Sequence, residues 1–301
     1  MKDPRLLSNQ DLRDPQVLAG LRRSVFSALE QRSPHPLLLL QLIRLNRAMG
    51  DLDAAERACA EYARVHGPHA ETDRLLCLLH GRPEAVARSP RVGAAPFLRL
   101  VNVLPAADQA AVWSVLDQAQ GALSAANVKW RGGQGVFDEI RRALRMPAPP
   151  EALKRLTPAL RGAIERSRLS SAFDLDPPPT GRVEGEVVCH TEGGRFGRHA
   201  DDAYGSVGRV LTCVYYLHRQ PARFTGGDLL LHDAKSDDRH EDPIGFTRFR
   251  PEHNTAVIFP AHVDHEVTIV HSDVTNPLEG RVSINVWLHA SATHPSGSAQ
   301  P

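Results

Sequence analysis

RVLTCVYYLH, residues 209–218, is the clearest of several short strand-like stretches in the C-terminal third of the chain. It is rich in β-branched and aromatic residues and, like the others, it is bounded by residues that favour turns. The others are VEGEVVCH (183–190), GDLLLHD (227–233), TAVIFP (255–260), HEVTIVH (265–271) and RVSINVWLHA (281–290). Short strands at this spacing predict an all-β sandwich or jelly roll.

Helical patterns precede these strands. Apolar residues recur at intervals of three and four from Leu18 to about Gly81, which predicts three or four helices. Residues 37–67 predict a helix hairpin, because Gly50 suits a left-handed cap and Asp51 or Asp53 can begin the next helix. This hairpin resembles one tetratricopeptide-type unit. Two interpretations stay open: a helical cap over the next domain, or a repeat that docks a polypeptide.

A Pro-, Arg- and Ala-rich linker at residues 82–95 places a domain boundary near residue 93. After it, residues 96–105 predict an entering strand, and residues 106–123, 137–144 and 152–164 predict helices. The fold class is therefore α+β. We expect a helical domain with its linker at 1–93, a jelly-roll domain with supporting helices at 94–290, and a disordered tail at 291–301.

The composition points to no strongly charged partner. The chain has 301 residues and a formal net charge of +1, so no whole-molecule field favours nucleic acid or an anionic membrane. Its four cysteines are scattered and form no CxxC pair, so we expect them to be reduced thiols. The first residues lack the apolar core of a secretory signal, and the longest apolar run, residues 37–45, is too short for a membrane span. We expect a cytoplasmic protein without nucleic-acid or membrane partners.

A metal site is indicated by three residues. His199 and Asp201 lie two apart, so in an extended segment both side chains share one face. His265, at the entry of a later strand, can complete a set of two imidazoles and one carboxylate. Such a set leaves coordination positions open and suits Fe(II), with zinc as the competitor on ligand type alone. His262 and Asp264 form a second HxD pair, but they lie in a proline-flanked turn.

Arg281 and Ser283 share one face of the last strand. A 2-oxo dicarboxylic acid that chelates iron at one end leaves its second carboxylate free. That carboxylate needs a permanently charged, bidentate partner such as arginine. Ser283 can donate a hydrogen bond to the same group, and Tyr216 can add a phenolic donor from a neighbouring strand.

At these residues the chain resembles the prolyl-4-hydroxylase-like branch of the 2-oxoglutarate/Fe(II) oxygenases. The resemblance runs from about Pro96 to Ala290. Its ordered marks are PFLRLVNVLP, GEVVCHTEGGRFGRHADD, RVLTCVYYLH, FTGGDLLLHD, NTAVIFPAHVDHEV and GRVSINVWLH. It implies a double-stranded β-helix core, iron ligation by His199, Asp201 and His265, and 2-oxoglutarate bound by Arg281, Ser283 and Tyr216.

The resemblance also implies an enzyme. We expect an Fe(II)-, 2-oxoglutarate- and O2-dependent dioxygenase, with ascorbate as an optional reductant, which couples decarboxylation of 2-oxoglutarate to succinate with hydroxylation of a C–H bond. An amino-acid residue in a peptide or protein is the leading substrate. A free amino acid or small natural-product intermediate is the alternative, and a non-catalytic helical scaffold is the remote one.

Three residues are candidates for the substrate pocket. Asn285 and Trp287 continue the Arg281 face, and His190 stands in VVCHTEGG where relatives often have a tyrosine. Ordinary packing is the alternative for each. The insert HSDVTNPLEG lengthens the interval between His265 and Arg281. The charged segment at 232–250, with His232, Asp233, Asp237, Asp238 and Arg239, is read either as a substrate-binding loop or as a solvated insertion.

Overall fold

A computed structural model describes residues 11–31, 34–82, 93–130, 133–167, 173, 175, 179–203, 208–233 and 244–290. Within these ranges, six α-helices accompany two larger antiparallel sheets and two two-stranded sheets. None of the helices described is both long enough and apolar enough to cross a membrane. The residues predicted as a tail and most of those predicted as a linker lie outside the described ranges, and the boundary near residue 93 stays a prediction.

The N-terminal region is helical, as predicted. Its helices are α1 (Pro15–Glu30), α2 (Pro36–Ala48), α3 (Leu52–His66) and α4 (Ala70–Leu79). Asp51 caps α3 by accepting a hydrogen bond from the backbone N–H of Ala54. Gly50, with a φ of 73°, makes the left-handed turn between α2 and α3. The predicted helix hairpin is therefore confirmed.

The larger sheet has seven antiparallel strands. Their spatial order is β1 (Leu98–Val101), β13 (Thr255–Pro260), β9 (Arg209–Tyr216), β16 (Arg281–His289), β7 (Val183–His190), β6 (Leu144–Pro147) and β2 (Ser124–Ala125). The register of β16 places Ser283 opposite Tyr216 and Arg281 opposite His190. These side chains therefore lie on one face of the sheet.

The smaller sheet has five antiparallel strands. Their spatial order is β12 (Phe246–Phe249), β11 (Leu229–His232), β14 (His265–Val267), β8 (Arg195–His199) and β5 (Arg141–Arg142). Two further two-stranded sheets pair β3 (Val128–Trp130) with β4 (Gly133–Gly135), and β10 (Phe224–Gly226) with β15 (Val270–Ser272). Inner-face residues of both sheets, such as Tyr216 and Phe259 from the larger and Leu229 from the smaller, share one buried cluster. The α+β class and the jelly-roll core are confirmed.

Helices cover the outer face of each sheet. Helices α5 (Ala106–Ala119) and α6 (Pro150–Arg166) pack on the larger sheet, where Leu116 and Leu160 join Cys213 and Ile284 in a buried cluster. Apolar residues of helices α1 to α4 form one buried cluster with Leu230 and Phe246 of the smaller sheet. The N-terminal helices are thus continuous with the jelly-roll core.

Two local predictions were wrong. The predicted helix at 137–144 is a turn followed by β5 and the start of β6. Phe137 and Ile140, whose spacing suggested a helix, are exposed, and Arg141 pairs with Phe196 of β8 instead. The stretch HEVTIVH, predicted as one strand, forms β14 and β15 in different sheets, with an irregularity in register between His265 and Val267.

Candidate active site

The smaller sheet brings the three predicted metal ligands together. His199 ends β8 and lies directly opposite His265, the first residue of β14. Asp201 follows β8, and its backbone N–H donates to the carbonyl of Ala261 at 2.8 Å. This bond draws the Asp201 turn toward the segment that leads into His265. The competing pair is not part of this set, since His262 is exposed, and Asp264, although it lines the same cavity, forms an ion pair with Arg198.

The three side chains converge on one point. The Nε2 atom of His199 lies 3.7 Å from Oδ1 of Asp201, and Nε2 of His265 lies 3.5 Å from Oδ2. One potential ligand atom from each residue lies within 4.8 Å of the others. Three donors at this separation can contact a single ion on one side and leave its other side open.

Hydrogen bonds fix the orientation of all three side chains. The Nδ1 atoms of His199 and His265 lie 2.8 and 2.9 Å from the carbonyl oxygens of Gly197 and Val263. If both Nδ1 atoms carry the proton and donate, both Nε2 lone pairs face the centre. The hydroxyl of Thr212 donates to Oδ2 of Asp201 at 2.7 Å.

The surroundings keep His199 and Asp201 in the protonation states that a metal requires. Burial, with help from the neighbouring His265, lowers the pKa of His199 to about 3, which leaves its imidazole neutral. Burial alone would raise the pKa of Asp201, but the adjacent imidazoles of His265 and His199 hold it below its usual value. The indole N–H of Trp287 and the hydroxyl of Thr212 act in the same direction. A neutral imidazole and an ionised carboxylate are both competent metal ligands.

Arg281 lies at a second polar point of the inner face and is 1% exposed. Its Nε donates to the carbonyl oxygen of Gly227 at 2.6 Å, and its Nη1 lies 3.3 Å from Nδ1 of His190. Its Nη2 has no hydrogen-bond partner among the described residues. Burial lowers the pKa of this guanidinium, and leaving a buried donor of a charged group unpaired is costly.

Tyr216 and Ser283 lie next to Arg281. The Tyr216 ring centroid is 5.1 Å from Cζ of Arg281, and its hydroxyl is buried without a hydrogen bond of normal geometry. Burial raises the pKa of Tyr216 to about 12, so the phenol keeps its proton. Tyr215 faces the other way and donates to Asn254, as alternation predicts. Ser283 is buried opposite Tyr216.

A cavity of about 610 Å³ connects the two polar points. Its walls include the three candidate metal ligands as well as Arg281 and Ser283, whereas Tyr216 lies beside Arg281 rather than at the wall. The predicted pocket residues His190, Asn285 and Trp287 all line it. His190 is buried, and its pKa is well below the usual value because of burial and of the charge of Arg281, so its ring is neutral.

The structure adds residues that the sequence did not reveal. Thr212 lies opposite Trp287 in the register, so inward alternation on β9 could have found it. Glu186 accepts hydrogen bonds from Arg141 at 2.8 Å and from Arg145 at 2.6 Å, and all three line the cavity. Arg141 was missed because residues 137–144 predicted a helix, and Arg145 follows that stretch in β6.

The charged segment at 232–250 is only partly described. His232 packs against Phe246 and lies 3.7 Å from Glu266, and Asp233 forms an ion pair with Arg47 of α2. Asp233 therefore faces the N-terminal helices, and neither residue lines the cavity. Asp237, Asp238 and Arg239 lie outside the described residues.

Known proteins match this region. Residues 185–289 match the family model of the 2OG-Fe(II) oxygenase superfamily. An uncharacterized PKHD-type hydroxylase of Synechocystis is 26% identical over 141 residues, which are 46% of this chain and 43% of the relative. A PKHD-type hydroxylase of Prochlorococcus marinus is 24% identical over 156 residues, 50% of this chain and 64% of the relative. The chain thus spans less than two thirds of both relatives.

Solved structures match over a longer region. A prolyl-4-hydroxylase of Pseudomonas putida is 19% identical and covers 65% of this chain and 92% of its own, with a TM-score of 0.44. A prolyl hydroxylase of Trichoplax adhaerens, solved with a hypoxia-inducible-factor peptide, is 23% identical and covers 64% and 83%, with a TM-score of 0.45.

The family match includes His199, Asp201, His265 and Arg281, which the structure places around one cavity. Residues 185–289 are therefore similar in sequence to the 2OG-Fe(II) oxygenase superfamily and to PKHD-type hydroxylases.

Proposed function

We propose that this chain is an Fe(II)- and 2-oxoglutarate-dependent dioxygenase that hydroxylates a C–H bond of an amino-acid residue in a peptide or protein. One observation carries the proposal. A convergent His199–Asp201–His265 set and a buried guanidinium with an unpaired donor line the same cavity.

The donor set fits Fe(II). Two imidazoles and one carboxylate on one side of an ion leave positions for a chelating co-substrate and dioxygen. Structural zinc sites are usually closed by four protein ligands, whereas the described residues bring three together here. His199, Asp201 and His265 would hold the metal, and Thr212 would orient the carboxylate.

The second polar point fits the distal carboxylate of 2-oxoglutarate. Among the described residues, Nη2 of Arg281 and the hydroxyl of Tyr216 are buried donors that lack partners, and the buried Ser283 lines the cavity with Arg281. A carboxylate can accept from a guanidinium and a hydroxyl at once, and the charge-assisted bonds would satisfy donors that are otherwise costly to bury.

The bound iron, 2-oxoglutarate and dioxygen supply the oxidation, with release of succinate and carbon dioxide. The side chains of this chain have the tasks of binding and orientation. Arg281 holds the co-substrate at a fixed distance from the metal ligands. Val188, Leu229 and Val267 line the same cavity and exclude water from its walls.

The cavity mouth favours a polymeric substrate. Ile140 lines the cavity and is itself 46% exposed, and Val136 and Phe137 beside it are also exposed. Exposed apolar side chains next to an active site are typical of a surface that contacts a partner. The charged group of Arg141, Arg145 and Glu186 adds hydrogen-bonding groups at the same cavity.

Thr212→Val tests the metal end. We expect Fe(II) affinity to fall roughly tenfold, because loss of a group that orients a metal ligand usually has an effect of this size. The measurement is anaerobic Fe(II) titration. Thr247→Val is the matched control, since Thr247 is fully buried but its hydroxyl has no partner among the described residues. Equal affinities of the two variants and the wild type would exclude a role of Thr212 at a metal site.

Arg281→Gln tests the co-substrate end. We expect the dissociation constant for 2-oxoglutarate to rise roughly 100-fold, because the distal carboxylate loses its buried charged partner. 2-Oxovalerate, which has a methyl group in place of that carboxylate, should bind wild type and variant equally. Arg141→Gln, at the same cavity, should leave 2-oxoglutarate binding intact. A variant that still prefers 2-oxoglutarate over 2-oxovalerate would refute the assignment.

A peptide assay tests the substrate class. We expect a proline-containing peptide with blocked termini to gain one oxygen atom, and free proline to stay unmodified, because the rim offers contacts to neighbouring residues of a chain. Mass spectrometry of both reactions after incubation with Fe(II) and 2-oxoglutarate gives the answer. Oxidation of free proline alone would favour the small-molecule alternative.

A further inference from the structure

A single buried guanidinium joins the N-terminal helices to the smaller sheet. Arg248 of β12 is 3% exposed. Its Nε donates to the carbonyl of Ala48 at the end of α2 at 2.7 Å, and its Nη2 donates to the carbonyl of Arg13 at 2.5 Å. Its Nη1 donates to Oδ2 of Asp228 at 2.6 Å. All three nitrogens of this guanidinium are therefore engaged, two by the helical region and one by the sheet.

Asp228 belongs to the turn on which Arg281 rests. Its neighbour Gly227 accepts the 2.6 Å hydrogen bond from Nε of Arg281. The turn is held on its other side, where the backbone N–H of Asp228 donates to the hydroxyl of Thr268 at 2.9 Å. The position of the Gly227 carbonyl thus depends on groups that hold Asp228.

The fit between this turn and Arg281 leaves little freedom. Gly227 has a φ of 67°, and a Cβ at this position would lie 2.4 Å from Cδ of Arg281. A small displacement of the turn must therefore move the guanidinium or break its bond to Gly227. Packed interiors transmit such displacements because they contain few voids.

The same N-terminal segment also reaches the metal side. Nε of Arg13 lies 2.9 Å from Oε1 of Glu266, the residue that follows His265 in β14. Arg13 thus contacts Glu266 with its side chain and Arg248 with its carbonyl. Glu266, next to the metal-ligand candidate His265, contacts Arg13 directly. Asp228, next to Gly227, is connected to the helical region through Arg248.

We propose that Arg248 is a positioning residue for co-substrate binding, which ties the N-terminal helices through Asp228 and Gly227 to the guanidinium of Arg281. This inference rests on the proposed function, because it takes Arg281 as the partner of 2-oxoglutarate. It gives the helical region a role in the site itself, beyond covering the apolar face of the smaller sheet.

A second arginine at the same interface provides a control. Arg47 of α2 is 2% exposed and forms an ion pair with Asp233, so it also joins the helices to the strand region. Asp233 lies at the opposite end of β11 from Asp228 and makes a backbone bond to Gly245. Loss of Arg47 weakens the interface without touching the Gly227 turn.

The experiment compares Arg248→Lys with Arg47→Lys. A lysine keeps the charge, but one ammonium group cannot match the fixed fork that reaches Asp228 and both carbonyls. Each variant is assayed for melting temperature, for Fe(II) affinity and for 2-oxoglutarate affinity of the Fe(II) form under anaerobic conditions. Asp228→Asn is the second variant, because it keeps an acceptor for Arg248 and decides the question if Arg248→Lys does not fold.

We expect both lysine variants to lower the melting temperature. Arg248→Lys and Asp228→Asn should raise the dissociation constant for 2-oxoglutarate about fivefold or more, with Fe(II) affinity unchanged, whereas Arg47→Lys should bind 2-oxoglutarate like the wild type. Wild-type 2-oxoglutarate affinity in Arg248→Lys or Asp228→Asn, or an equal loss in Arg47→Lys, would overturn the proposal. A wild-type protein that binds no 2-oxoglutarate would instead refute the proposed function.

Discussion

The buried guanidinium of Arg281 is the physical constraint on which the candidate site depends. A charged group that is 1% exposed needs partners, and the described residues give Arg281 one carbonyl and one neutral imidazole, with Nη2 left unpaired. The nearby carboxylate of Asp228 is bonded to Arg248. The inner face therefore contains a positive charge that an anionic ligand would compensate, at one cavity with three convergent metal-type donors.

The two sheets divide the work between them. The smaller sheet carries His199 and His265 on neighbouring strands, and the larger sheet carries Arg281, Ser283 and Tyr216. The cavity between the sheets is lined by residues of both sheets, polar ones such as Glu186 as well as apolar ones such as Val188 and Leu229. Helices stabilise both sheets from outside, and the carbonyl of Ala48 in α2 accepts a hydrogen bond from Arg248, which also donates to Asp228 in the turn beneath Arg281. Some of the contacts that stabilise the fold therefore also hold groups of the candidate site.

The sequence was informative where the structure depends on local patterns. Strands were predictable because β-branched residues and turn residues alternate within short stretches, and the helix hairpin because Gly50 and Asp51 suit particular backbone geometries. His199, Asp201 and His265 could be chosen because spacing and order along the chain restricted the candidates. The position of each in the cavity then followed from strand pairing.

The remaining features depend on partners that are distant in the chain. Arg248 bonds to the carbonyl of Ala48, 200 positions away, and no local pattern marks such a contact. Thr212 orients Asp201 only because β9 passes beneath the metal-ligand turn. Apolar spacing misled at residues 137–144, because exposed side chains at the cavity mouth imitate a helical face. Sequence patterns thus failed to show two kinds of feature: exposed apolar side chains beside the cavity, and polar contacts between residues that are distant in the chain.

The most direct measurement is an anaerobic titration of the metal-free protein with Fe(II) and then 2-oxoglutarate, followed by visible absorption. Chelation of the ferrous ion by the 2-oxo acid produces a weak metal-to-ligand charge-transfer band. We expect this band in the wild type and its loss in His199→Ala. A correctly folded wild-type protein that binds no iron, or that shows no band with both ligands present, would contradict the central claim.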